Sequence, residues 1–163
     1  MSKFDRRNFI KKTSLTAAFA SSYVYSSENL RKNEQKYMGD FSAPKLKTIK
    51  AAFLGVGYRG KGHLKLFSSL PGTEVVGISD LYEDNISRSI KILENMNIST
   101  DLIKTYWGNE KKWKSMLSEV KPDIVFISTD WNSHGKMAIE SMKKGAHAFV
   151  EVPLAMTIKE LWE

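Results

Sequence analysis

Thr48-Ile49-Lys50-Ala51-Ala52-Phe53-Leu54 runs straight into Gly55-Val56-Gly57-Tyr58-Arg59-Gly60, and Asp80 stands twenty residues beyond the last of these glycines. The apolar run suits a strand buried on both faces of a parallel sheet. From Lys61 to Leu70 the residues His63, Leu64, Phe67 and Leu70 fall on one face of a predicted helix, which Pro71-Gly72 ends. Glu74-Val75-Val76-Gly77-Ile78-Ser79-Asp80 then reads as a second buried strand finishing on an acid. The stretch is a complete strand-helix-strand unit.

Each glycine of that unit has its own physical task. Gly55 permits the tight turn off the strand, Gly57 lets a pyrophosphate approach the backbone, and Gly60 allows close packing of helix on strand. The amides and partial positive charge of the helix start then face the phosphates. Asp80 is placed to accept hydrogen bonds from the adenosine ribose, and its charge repels a 2′-phosphate. NAD rather than NADP is therefore the expected cofactor. Asp80 also reads as a plain cap or turn former, because Glu83 and Asp84 suit the first turn of a following helix.

Outward from this unit the alternation continues. Asp84 to Met96 is predicted helical, Leu102 to Tyr106 a short strand, and Glu110 to Val120 an amphipathic helix with Trp113 and Leu117 four apart. Lys121-Pro122-Asp123 breaks the pattern before the strand Ile124 to Ser128. Ser133 is a candidate cap for a helix from His134 to Lys144, closed by Gly145. Ala146 to Val152 is the fifth strand. Five alternations of strand and helix predict an α/β fold, a doubly wound parallel sheet of the Rossmann type. Ligands bind such sheets outside the carboxyl ends of the strands. That rule singles out Trp131-Asn132-Ser133-His134 after the fourth strand and Glu151-Val152 after the fifth. By themselves Trp131 reads equally as a packing residue and His134 as a satisfied residue at a helix start.

The 163 residues are 42% hydrophobic and 26% charged with no cysteine, which excludes a disordered tail, a disulfide scaffold and a thiolate metal site. No apolar run approaches the ~18 residues of a membrane-spanning helix. The net charge of +7 invites a test for nucleic-acid binding. Residues 1–50 hold 11 Lys/Arg against 4 Asp/Glu, whereas residues 51–163 hold 14 of each. The excess charge lies in the N-terminal third, the rest carries no basic stripe, and nucleic acid is not an expected partner.

Ser2 to Lys12 is basic and precedes the small, mildly apolar Thr13 to Ala20, the order of an export signal. Arg6-Arg7 resembles a twin-arginine signal, with Asp5 where Ser or Thr is usual, and Ala18-Phe19-Ala20 offers a small-x-small cleavage site. A basic amphipathic helix packed on the protein is the alternative. Residues 21–46 read as a flexible linker and 47–163 as the dinucleotide-binding domain. The twin-arginine machinery exports folded proteins, so a periplasmic or cell-surface protein with a held cofactor is expected.

Taken together, Gly55-Val56-Gly57-Tyr58-Arg59-Gly60, Asp80, the segment Ser128-Thr129 to His134, and Glu151-Val152-Pro153 resemble the Gfo/Idh/MocA oxidoreductase family. Most members have lysine in the middle of the last motif, where this chain has Val152. That departure, with Trp131-Asn132-Ser133-His134, resembles the glycoside hydrolase family 109 branch. The resemblance covers roughly residues 48 to 163. It implies an NAD-dependent glycosidase for terminal α-linked N-acetylgalactosamine. The implied reaction is oxidation at C3, loss of the C2 proton, elimination, hydration and re-reduction, unlike paired-carboxylate glycosidases. It places Tyr58 and Arg59 on the pyrophosphate side, Asp80 on the ribose, Trp131 to His134 beside the nicotinamide half, and Glu151 with Val152 at the nicotinamide edge. It also implies tyrosine and histidine acid/base groups in a later α+β domain and a homo-oligomeric full-length form, so this chain is expected to be inactive alone. A net sugar or cyclitol oxidoreductase and a non-catalytic dinucleotide-binding module are the competing expectations.

Overall fold

The computed structural model describes residues 42–162; the expected export signal, residues 1–20, and most of the linker lie outside the described residues. The elements are β1 (Ile49–Leu54), α1 (Tyr58–Ser68), β2 (Thr73–Ser79), α2 (Glu83–Asn95), β3 (Lys104–Tyr106), α3 (Lys112–Val120), β4 (Ile124–Ile127), α4 (Trp131–Lys143), β5 (His147–Val150) and α5 (Ile158–Leu161). The five strands form one sheet in the order β3-β2-β1-β4-β5, and every neighbouring pair is parallel. This is the expected doubly wound architecture.

The unbroken apolar character of β1 has its explanation in the two cores. Ala51 and Phe53 point into a cluster with Leu64 and Phe67 of α1 and Ile86 and Leu93 of α2. Ala52 and Leu54 point the other way, against Trp113, Met116 and Leu117 of α3 and Ala138 of α4. A strand covered on both faces has no polar side to show, and its period of two is hidden in an all-apolar run.

The chain winds one way from β1 through β2 to β3, then crosses back to lay β4 on the other side of β1. The loops after β1 and β4 therefore part in opposite directions, which opens a crevice at their carboxyl ends. Tight connections hold this frame. Gly72 makes its turn at φ +75°, and Lys121 ends α3 at φ +44° with Pro122 behind it, which bars further helix.

Two helices start three residues before the sequence expectation. First, α1 starts at Tyr58 rather than Lys61, so Gly57 is its N-cap and Gly60 lies inside the first turn. Second, α4 starts at Trp131 rather than His134, because Asp130 and not Ser133 is the cap. The Asp130 side chain accepts from the Asn132 amide at 3.1 Å and from the Ser133 hydroxyl at 2.7 Å. The short helix α5 opens on a capping box: Thr157 Oγ1 accepts from the Glu160 amide at 3.2 Å, and Glu160 Oε2 from the Thr157 amide at 3.1 Å. In each case a short polar side chain or a glycine meets the free amides of a first turn a few residues before the apolar period becomes visible.

Candidate functional site

The crevice at the strand-order switch is a cleft of about 580 Å³ bounded by Gly55, Gly57, Asp80, Asn85, Asp130 and Lys136, among others. Its floor is the glycine turn after β1. Gly55 sits at φ +78°, and a Cβ there would lie 2.7 Å from the Ser128 carbonyl oxygen, so no larger residue fits between the ends of β1 and β4. A Cβ at Gly60 would lie 2.0 Å from the Gly55 carbonyl oxygen, which accounts for the close seat of α1 on the turn. Gly57 is different in kind. Beyond its own chain neighbours, no heavy atom lies within 4 Å of the Cβ it lacks, so packing does not require a glycine there. The space that a Cβ would fill is a cradle in front of the helix start. No side chain caps α1, and its first turn holds no acid, so those amides remain free to meet an anion.

Asp80 forms the other wall. Its Oδ2 accepts from the Val56 amide at 2.8 Å, and its Oδ1 accepts from the Tyr82 amide at 2.9 Å and from Asn85 Nδ2 at 3.1 Å. The carboxylate thus ties the end of β2 to the glycine turn. Asp80 also does the turn-forming work of the second reading, since the N-cap Tyr82 supplies no side-chain cap of its own.

The remaining candidates fall into three groups. Ser133 reaches the cleft wall, its hydroxyl engaged by Asp130. Tyr58, Trp131, Asn132 and Val152 are exposed. His134 is only 1% exposed. Its Nδ1 is 2.8 Å from the Pro153 carbonyl oxygen and its Nε2 is 3.2 Å from that of Thr129. Both partners are carbonyl oxygens, which only accept, so each contact is a hydrogen bond when the ring nitrogen facing it carries the proton. His134 thereby fastens the start of α4 to the Val152-Pro153 segment, whose peptide bond is cis, and does not line the cleft.

Glu151 has partners that the sequence does not reveal. His63 Nε2 lies 2.5 Å from Glu151 Oε1, and Arg59 Nε lies 3.6 Å from the same oxygen. The hydrogen bond from His63 holds the Glu151 carboxyl below the ordinary carboxylate range, helped by the Arg59 charge. The His63 ring also stacks on Phe126, centroids 6.1 Å apart, and meets the edge of Phe149 at 5.9 Å. Arg59 and His63 are four apart on α1 and so share one of its faces, but that spacing does not name Glu151 as their partner. Among the described residues no group of three or more His, Asp or Glu side chains could hold a metal ion, and no helix is long and apolar enough to cross a membrane.

A glycine turn with an empty cradle, an uncapped helix start and an oriented acid at the next strand end fit the two phosphates and the ribose of a dinucleotide. The fold and the cleft define a dinucleotide-binding domain. Residues 49–163 match the family model GFO_IDH_MocA, the oxidoreductase family with an NAD-binding Rossmann fold, and the chain belongs to that family. Similar curated proteins include glycosyl hydrolase family 109 protein 2 of Akkermansia muciniphila, 48% identical over 81% of this chain. Another is the glycosyl hydrolase family 109 protein of Shewanella baltica, 36% identical over the whole chain. The chain spans 28% and 36% of the length of these two relatives. Among solved structures, apo scyllo-inositol dehydrogenase from Lactobacillus casei superposes with a TM-score of 0.60 at 18% identity. The match covers 73% of this chain and 32% of that one, and it supports the fold.

Proposed function

We propose that this chain is the cofactor-binding part of an exported, NAD-dependent glycosidase that cleaves terminal α-N-acetylgalactosamine-type sugars with no net consumption of NAD. The observation that carries this reading is Val152. It is 80% exposed directly after Glu151, where the resembled oxidoreductases place a lysine. An apolar side chain there offers no proton to a substrate hydroxyl, which fits a reaction whose acid/base groups come from elsewhere. The glycosyl hydrolase 109 names of relatives up to 48% identical support it further.

The bound dinucleotide supplies hydride acceptance and return at the sugar. The chain's own part is to hold it. The amides at the start of α1 and the Gly57 cradle receive the pyrophosphate, with Tyr58 and Arg59 alongside, and Asp80 receives the adenosine ribose. Trp131, Asn132, Ser133, Glu151 and Val152 border the nicotinamide half, with His134 holding that border in place from beneath. Glu151, kept ionised by His63 and Arg59, does not serve as a proton donor.

The test follows the cofactor. The full-length protein should release a phenol from an aryl α-N-acetylgalactosaminide without accumulating NADH, and should exchange the sugar C2 proton for deuterium. Phenol release without exchange would reject the redox route. Steady NADH production with no phenol released would establish a net sugar or cyclitol oxidoreductase instead.

A further inference from the structure

We infer that Asn85 is a positioning residue that sets the preference for NAD over NADP by holding the Asp80 carboxylate. The inference rests on the reading of Asp80 as the ribose acceptor. A carboxylate has about four lone-pair sites. Three are occupied here: one on Oδ2 by the Val56 amide, and two on Oδ1 by the Tyr82 amide and Asn85 Nδ2. Oδ1 is therefore saturated and Oδ2 keeps the remaining acceptor site. The amide of Asn85 is the one side-chain contributor to this set, and both Asp80 and Asn85 line the cleft.

Two backbone donors from different segments, Val56 before α1 and Tyr82 before α2, place the carboxylate. The Asn85 amide fixes its rotation, because a second bond to Oδ1 opposes swinging that oxygen toward the cleft. Asn85 itself is well anchored in the first turn of α2. Its own amide donates to the Tyr82 carbonyl at 3.1 Å, and its carbonyl accepts from Ser89 Oγ at 2.7 Å. Ser89 is fully buried. An anchored amide that saturates one oxygen of an acid leaves the other with one acceptor site for a ribose hydroxyl, which donates, and nothing for a phosphate, which only accepts at that site.

Removing the amide should loosen the acceptor but leave its charge. NAD binding therefore weakens, whereas NADP, already repelled, changes little. Removing Asp80 abolishes both the acceptor and the repulsion. The experiment measures NAD and NADP dissociation constants by titration calorimetry for the 163-residue chain and its Asn85→Ala, Asp80→Ala and doubly substituted forms, with thermal unfolding recorded for each. Asn85→Ala should weaken NAD by about 3- to 10-fold, the range of one hydrogen bond, with NADP nearly unchanged. In the Asp80→Ala background the same substitution should leave the NAD to NADP ratio as it is. A direct ribose contact by Asn85 would survive in that background and would overturn the positioning role. Equal weakening of both cofactors alongside a lower melting temperature would reduce Asn85 to a helix-start residue. If Asp80→Ala itself leaves selectivity unaltered, or the unsubstituted chain binds no NAD, the underlying reading of Asp80 fails.

Discussion

Replacing Gly60 by alanine should destabilise the domain, whereas replacing Gly57 by valine should spare the fold and abolish NAD binding. At Gly60 the added Cβ would lie 2.0 Å from the Gly55 carbonyl oxygen and 2.9 Å from its carbon, well inside the 3.0 Å that Cβ contacts essentially never undercut. About 1 Å must open between α1 and the turn. The turn cannot supply it: Gly55 donates to the Ser79 carbonyl at 2.8 Å, and its own face lies against Ser128. Helix α1 cannot move away without unpacking Leu64 and Phe67. Overpacking of this kind costs roughly 3 kcal/mol, and alanine recovers about 1 kcal/mol through its better helix propensity. The net of about 2 kcal/mol corresponds to a melting temperature lower by roughly 6–10 °C for a domain of this size. At Gly57 the Cβ meets nothing within 4 Å, so the melting temperature should stay within about 2 °C while calorimetry shows no NAD binding. An unchanged melting temperature for Gly60→Ala, or retained NAD affinity for Gly57→Val, would refute the division of labour among these glycines.

Other substitutions probe the electrostatics and the Arg6-Arg7 pair. Glu151→Gln removes a carboxyl whose pKa is lowered from 4.5 chiefly by the His63 hydrogen bond, which with the Arg59 charge outweighs the opposing effect of desolvation. Its stabilisation is present above pH 4.5 and is lost as pH falls through the folded value, so the variant should start less stable at neutral pH and lose less on acidification; parallel acid-unfolding curves would contradict this. Tyr106 is pushed up to about 12 by burial and by its hydrogen bond to Glu119, which also accepts from Lys104. That stabilisation is complete below pH 10 and fades toward 12, and Tyr106→Phe should remove a phenol that ionises near pH 12 from a near-ultraviolet titration. An unaltered titration curve would count against the Tyr106–Glu119 bond. Changing both Arg6 and Arg7 to lysine keeps the charge but loses the planar guanidinium groups, so the full-length precursor should stay in the cytoplasm on cell fractionation. Normal export of that variant would return the pair to a basic tail.

The alternation of strands and helices, the parallel sheet and the need for glycine at positions 55 and 60 were legible in the chain itself. All are local: a run with no polar face, a spacing along a helix, or a backbone position that admits no side chain, each within about 33 residues. The cap of α4 was less legible, because Asp130 and Ser133 both carry suitable oxygens and only the backbone angles show which residue stands outside the helix. Only the tertiary structure decided the partners. His63 and Glu151 are 88 residues apart and meet because β4 crosses back beside β1, bringing the end of β5 beside the first half of α1. His134 stands among candidate ligands in the sequence, yet it lies beneath the surface with the Pro153 and Thr129 carbonyls. Sequence periodicity records which face of an element is covered. It does not record what covers it, since the order of strands in the sheet is set by packing both faces at once.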